Sequence, residues 1–376
     1  VWFLKVIQNF ESLRKICLRS ASMHKLRTVV FALLIFSAPA GVRAQSALMN
    51  LPRPSQHAVL TQRIGITDIT INYSRPLVNG RKVWGELVPY GQPWRSGANE
   101  NTTISFGDPV TIEGQPLAAG TYGLHMIPTE NDWTIAFSKM NAAWGSFSYD
   151  QAEDALRVTV KPAATDFHDA LTYDFDDLKP DSAVVTLRWE KLAVPFKMGV
   201  NVHDVVEASL HNQLRGRVQY EWQSWDDSAN YLLAEKTDLD DALKYSNQSI
   251  QIEQRYDNLM TKSQVLDALG RKDEATTARN QALGIASPDQ LYAFARALQG
   301  MNKQDEAFKV YRDLAKRYPD HWRAHAAMAR VYSGEGNFDK ALAEANAAMP
   351  GAPGPIKPIL QGFIKKLQDK QDINKT

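Results

Sequence analysis

The hydrophobic period changes near residue 200, and that change restricts the chain to two unlike halves. Ile69, Ile71 and Tyr73 alternate with polar residues in the run Ile66 to Tyr73, as a half-buried strand requires. Similar short runs follow at Thr103 to Phe106, Val110 to Glu113, Thr121 to Ile127, Trp133 to Ser138, Leu156 to Lys161, Leu171 to Asp176, Ala183 to Trp189 and Ala193 to Val200. Short strands with almost no helical pattern predict an all-β sandwich or barrel-like domain over residues 45–200. Pro195 places the last run at an edge or a bulge.

From Val202 the period is helical, with Val202, Val205, Val206, Leu210, Leu214 and Val218 spaced by three and four residues. This is an amphipathic linking helix over residues 201–221. Beyond it the chain repeats itself, in Gly270-Arg271-Lys272-Asp273-Glu274-Ala275, Lys303-Gln304-Asp305-Glu306-Ala307 and Gly336-Asn337-Phe338-Asp339-Lys340-Ala341, with a weaker copy at Leu239-Asp240-Asp241-Ala242. The anchoring residues Ala242, Ala275, Ala307 and Ala341 are 33, 32 and 34 residues apart. That spacing resembles tetratricopeptide (TPR) repeats over residues 222–355, with small residues at Ser263, Ala295 and Ala329 for the close helix crossing. The first copy departs from the pattern at Asn230. Residues 356–376 supply a capping helix, Ile356 to Leu367, and a tail, as a solenoid end requires.

The leading 44 residues read differently. Met23 opens a segment in which Lys25 and Arg27 precede the apolar run Val29 to Phe36, followed by Val42-Arg43-Ala44. A charged start, an apolar middle and small residues at minus three and minus one describe a signal peptide over 23–44, cut after Ala44. Residues 1–22 are then an over-extended reading frame. The run falls short of the roughly 20 apolar residues that span a bilayer, so the expectation is an exported periplasmic or extracellular chain with no transmembrane segment after cleavage.

The one cysteine, Cys17, precedes that segment, so residues 45–376 hold no disulfide and no Cys-zinc site. Residues 1–44 carry seven of the 43 Lys and Arg and one of the 42 Asp and Glu, leaving 36 against 41. An acidic balance argues against a nucleic-acid partner, which needs a basic footprint.

The run Tyr73 to Glu100, YSRPLVNGRKVWGELVPYGQPWRSGANE, concentrates Arg, Trp, Pro and Gly where neither helix nor strand persists. Ser74-Arg75-Pro76, Gly80-Arg81, Val83-Trp84-Gly85, Leu87-Val88-Pro89-Tyr90-Gly91 and Trp94-Arg95-Ser96-Gly97-Ala98-Asn99-Glu100, with Ala119-Gly120-Thr121-Tyr122, Trp133-Thr134-Ile135 and Trp144-Gly145, resemble the secreted bacterial domain-of-unknown-function family 2911 over about residues 50–200. The resemblance implies a shared fold and a shared pocket, without a reaction. Physically, Arg75, Arg81 and Arg95 are donors for a carboxylate, phosphate or sugar hydroxyl, and Trp84, Tyr90, Trp94 and Trp144 could form an aromatic floor, with Asn99 and Glu100 beside them. The structural alternative pairs Arg95 with Glu100, caps a turn with Asn99 and buries the aromatic rings in the core.

No catalytic constellation is visible: there is no Gly-x-Ser-x-Gly elbow, no phosphate-cradling glycine loop and no His-Glu-x-x-His. His57, His125, His168 and His203 are scattered, and His125 on a strand reads as a satisfied core or surface histidine. Asp174, Asp176 and Asp177 fit a solvated strand face rather than a calcium site, and His321 and His325 carry no metal assignment. No cofactor or metal is expected. In the repeats, Tyr231, Met260, Gln264, Tyr292, Arg296, Arg323 and Arg330 fall on the face expected to line a groove for a peptide. The sequence thus supports an exported, non-enzymatic interaction protein with a protein or peptide partner. The alternative is a secreted carbohydrate- or small-acid-binding module, or a hydrolase, using the 73–100 loop.

Overall fold

The computed structural model describes residues 52–375, so the expected leader lies outside the described residues. Ten strands form two antiparallel sheets. The larger runs β1 (Gln56–Ile64), β2 (Thr67–Arg75), β3 (Thr103–Phe106), β6 (Gly120–Pro128), β7 (Trp133–Ser138) and β8 (Asp154–Val160), in the order β1-β2-β3-β6-β7-β8. The smaller holds β4 (Val110–Ile112), β5 (Gln115–Leu117), β9 (Ala163–Asp176) and β10 (Ser182–Gly199), in the order β5-β4-β10-β9. Ile69, Ile71, Ile104, Leu124 and Phe137 of the first sheet meet Leu187, Val194 and Phe196 of the second in one buried core. This is the all-β fold expected from the period-two pattern.

The two runs expected at Ala183–Trp189 and Ala193–Val200 are one strand, β10. Its register against β9 slips around Glu190, which sits at φ 55°. Pro195 falls after the last residue paired with β9, Ala193, and before the first paired with β4, Met198, so its missing N–H costs no ladder bond.

The linking helix α1 (Val202–Gln213) joins the halves. Val205 belongs to the sandwich core, while Leu214, just past its end, belongs to the first core of the repeats. His203 Nε2 stands 3.0 Å from Asp238 Oδ2. Four helix pairs follow: α2 (Trp222–Glu235) with α3 (Leu239–Ile252), α4 (Tyr256–Ala268) with α5 (Lys272–Ile285), α6 (Pro288–Gly300) with α7 (Gln304–Arg317), and α8 (Trp322–Gly334) with α9 (Phe338–Ala348). Helix α10 (Lys357–Gln368) closes the array.

The anchoring alanines Ala242, Ala275, Ala307 and Ala341 are fully buried, as are Ala295 and Ala329. Ser263 is also buried, and its hydroxyl donates to the Ala275 carbonyl at 2.8 Å, so a small polar residue serves that crossing. Among the described residues no helix is long and apolar enough to cross a membrane.

Candidate functional site

The long loop after β2 is fastened to β6. Trp94 and Met126 exchange both backbone hydrogen bonds at 2.8 Å, Gly91 N–H donates to the Pro128 carbonyl, and Leu124 N–H donates to the Thr102 carbonyl. Between these clamps the chain turns sharply at Ser96, a buried residue at φ 53°. Its carbonyl accepts from Tyr173 Oη at 2.9 Å and from Thr102 Oγ1 at 3.2 Å. Gly97 is needed beside it, because a Cβ there would lie 2.6 Å from Thr102 Oγ1 and 3.1 Å from the Ser74 carbonyl oxygen. A non-glycine residue held at positive φ inside an over-determined loop is the kind of strain that fixes a neighbouring side chain.

That neighbour is Arg95. Its side chain enters a cleft of about 250 Å³ lined by Gln92, Pro93, Trp94, Arg95, Ser146 and Phe147. The guanidinium Nε is buried without a hydrogen-bond partner. Burial disfavours its charged form, an effect partly offset by the charge of Glu100. Glu100 itself forms its ion pair with Arg53, not with Arg95. Burial pushes the Glu100 carboxyl up, but the bond from Arg53 prevails and holds it below its ordinary value. Arg53 also stands 5.7 Å from the ring of Trp144, which is half exposed, and Phe147 at the cleft is 88% exposed.

The other loop residues have separate duties. Arg75 Nε donates to the Leu171 carbonyl at 2.9 Å, and Arg81 Nε to the Val78 carbonyl at 3.0 Å. Asn99, at φ 59°, donates from Nδ2 to the Ser55 carbonyl. Trp84 is buried in an aromatic cluster, edge-on to Trp94, Trp133 and Trp189 at 4.9–5.8 Å. Trp94 stacks on Trp189 and forms the inner wall of the cleft, whereas Tyr90 is exposed over Gly85. The structure thus brings Trp94 and Arg95 into one cleft, sets Arg53, Glu100 and Trp144 in a second cluster, and leaves Arg75 and Arg81 holding backbone.

Sequence reasoning missed Ser146; His125 is the core histidine expected, with partners at both ring nitrogens. His125 projects from β6, 2% exposed, with Nδ1 2.8 Å from Ser146 Oγ and Nε2 3.5 Å from Asn101 Nδ2. Burial lowers its pKa to about 4, against the raising effect of Asp154. The ring packs on Tyr149 at 4.9 Å, and Tyr149 Oη donates to Asp154 Oδ2 at 2.6 Å, where Arg157 also binds. Asn101 Oδ1 and Asp154 Oδ1 are buried without partners. Unpaired buried polar atoms are rare in native proteins; here one is on Arg95 at the cleft, one on Asn101 beside His125, and one on Asp154, which binds Tyr149. The signal in the sequence is only the strand alternation that points His125 to one face.

In the repeats, Arg330 is buried, with Nε donating to Tyr292 Oη at 2.9 Å and Nη1 directed to the Ile373 carbonyl and Asn374 Oδ1. Arg323 pairs with Asp289 at 2.6 Å and lies over the rings of Trp322 and Tyr292. Arg296 donates to Gln299, which also binds Asn374. Tyr231 and Met260 are half-buried and Gln264 is exposed. The C-terminal segment Asp372–Asn374 therefore consumes much of the polar capacity of the later repeats.

Residues 55–198 match the family model described as "Protein of unknown function (DUF2911)". A search of the curated proteins finds no match. Among solved structures, the chain is similar to "YrrB: a TPR protein with an unusual peptide-binding site", at 15% identity and a TM-score of 0.26, over 43% of this chain and 89% of that one. The β-domain is thus similar to the DUF2911 family over nearly its whole length.

Proposed function

We propose that this is an exported binding protein whose β-domain takes a small carboxylate-bearing ligand at Arg95 and whose repeats dock a protein or peptide. The carrying observation is the Arg95 guanidinium, desolvated at the wall of an open cleft with Nε unpartnered and no carboxylate paired to it. A half-buried guanidinium whose buried Nε has no acceptor gains from an added anion, and a ligand carboxylate supplies that acceptor. The cleft is below the usual 300–1,000 Å³ of drug-sized pockets, which suits a single sugar ring or a short acyl chain. Phe147 offers an exposed ring to stack on the apolar face of a sugar, and Ser146 and Gln92 offer polar groups, so an acidic monosaccharide matches the lining best. The leader-type segment at 23–44 supports export. Stacked helical pairs present a continuous face of the sort used for extended partners, which supports the docking role.

The test is thermal unfolding of the chain from residue 45 with D-glucuronate and D-glucose in parallel. Glucuronate should raise the melting temperature saturably and glucose should not. Equal effects, or none from either, would reject an Arg95 carboxylate site.

A further inference from the structure

We propose that Ser146 is a catalytic nucleophile and His125 its general base, acting on an ester whose acyl part carries the carboxylate held by Arg95. The inference rests on the Arg95 reading for its substrate class, but its carrying geometry is independent. Ser146 lines the same cleft as Arg95. Its hydroxyl is 2.8 Å from a buried imidazole, within the reach needed between nucleophile and base. The far ring nitrogen faces the side-chain amide of Asn101 at 3.5 Å. A nucleophile, a histidine and a third group that orients the ring form the arrangement that recurs on unrelated folds, with asparagine as the third member in some.

Which way the Asn101 amide is turned decides the tautomer, and orientation is assigned from the hydrogen-bond network. With Nδ2 toward the ring, Asn101 donates to Nε2 and the His125 Nδ1 proton faces the Ser146 hydroxyl. Turned over, Oδ1 accepts the Nε2 proton of His125, and Nδ1 becomes the acceptor for the Ser146 hydroxyl. That tautomer is the one a general base requires. The amide is confined by Gly123, where any Cβ would overlap Asn101 Nδ2 and the Met140 carbonyl. Asp154, held by Tyr149 and Arg157, supplies a buried negative charge that favours the imidazolium formed during attack.

In the first step Ser146 Oγ bonds to the acyl carbon as its proton passes to His125 Nδ1. The bond from the acyl carbon to the alcohol oxygen breaks, and the departing oxygen takes the proton back from His125. Water then adds to the acyl-serine with its proton going to His125. The bond to Ser146 Oγ breaks, the acid leaves, and the serine recovers its proton. Arg95 holds the ligand carboxylate throughout.

The test is covalent labelling of the chain from residue 45 with a fluorophosphonate, read by intact mass and peptide mapping, together with hydrolysis of mono-4-nitrophenyl succinate. One adduct on Ser146 is expected, absent from Ser146→Ala, with ester turnover at least 100-fold lower in that variant. The labelling rate should stay level from pH 8 to pH 5 and fall near pH 4, where His125 protonates. No adduct on Ser146 in folded protein, or equal turnover by wild type and Ser146→Ala, would overturn the proposal. If glucuronate binds while Ser146 stays unlabelled, the nucleophile falls and the binding site stands.

Discussion

Arg95 Nη1 lies so close to Gly145 that a Cβ at that glycine would sit 2.6 Å from it. The loop after β7 therefore acts as a wall against which the guanidinium is set. Gly145 also has φ 71°, a conformation that glycine adopts without strain. Gly145→Ala should cost about 1–3 kcal/mol from overpacking and backbone strain and should weaken glucuronate binding by more than tenfold. Calorimetric titration alongside thermal unfolding checks both.

His125 should make the β-domain sensitive to acid. Its folded pKa, about 4, lies below the ordinary value of 6.5, because burial opposes its charged form. Between these values the unfolded chain binds more protons than the folded one, so stability falls as pH drops from about 6.5 toward 4. The full loss is on the order of 3 kcal/mol. Urea unfolding at pH 7 and pH 4.5 should show this fall in wild type and a smaller one in His125→Gln.

Much of this architecture was legible beforehand. Alternation at Ile69, Ile71 and Tyr73 marked a strand, and the spacing of Ala242, Ala275, Ala307 and Ala341 marked the helix pairs, because both depend on local periods that burial imposes. β1 escaped notice because its outward face carries the exposed apolar residue Val59, which blurs the alternation. The site was legible only in part. The Trp94-Arg95-Ser96-Gly97 run announced an ordered loop, but Glu100 meets Arg53 from 47 residues away, and His125 meets Ser146 from 21. Such contacts arise from topology, and no period in the chain encodes them.

Arg317 joins successive repeats. Its guanidinium donates to the carbonyls of Leu283, Gly284 and Ala286 at 2.6–3.2 Å, around the end of α5. Carbonyls at a helix C-terminus lack regular intrahelical donors, and Leu283 otherwise has only a long 3.4 Å bond from the Ala286 N–H. Arg317→Ala should destabilise the repeats by about 1–3 kcal/mol, seen as a lower melting temperature by circular dichroism at 222 nm, while Arg317→Lys, which lacks the fork of donors, should recover only part of the loss.

The C-terminal tail is a structural element of the solenoid. Ile373 is buried with Ala329, Ala341 and Leu367, and Asn374 binds both Gln299 and the Arg330 carbonyl. Ending the chain after Gln371 should cost about 2–5 kcal/mol and should speed amide exchange in α8 and α10, as hydrogen–deuterium exchange would record. Unchanged exchange there would show the tail to be dispensable.

The central claim is that Arg95 awaits an external carboxylate, and the Arg95 Nε–H resonance reports on it directly. A ¹⁵N–¹H titration of the chain from residue 45 with D-glucuronate should shift that resonance saturably, and Arg95→Met should abolish binding with a melting temperature within a few degrees of wild type. A resonance indifferent to glucuronate, joined to a large loss of stability in Arg95→Met, would contradict the account and make Arg95 a structural residue of the loop.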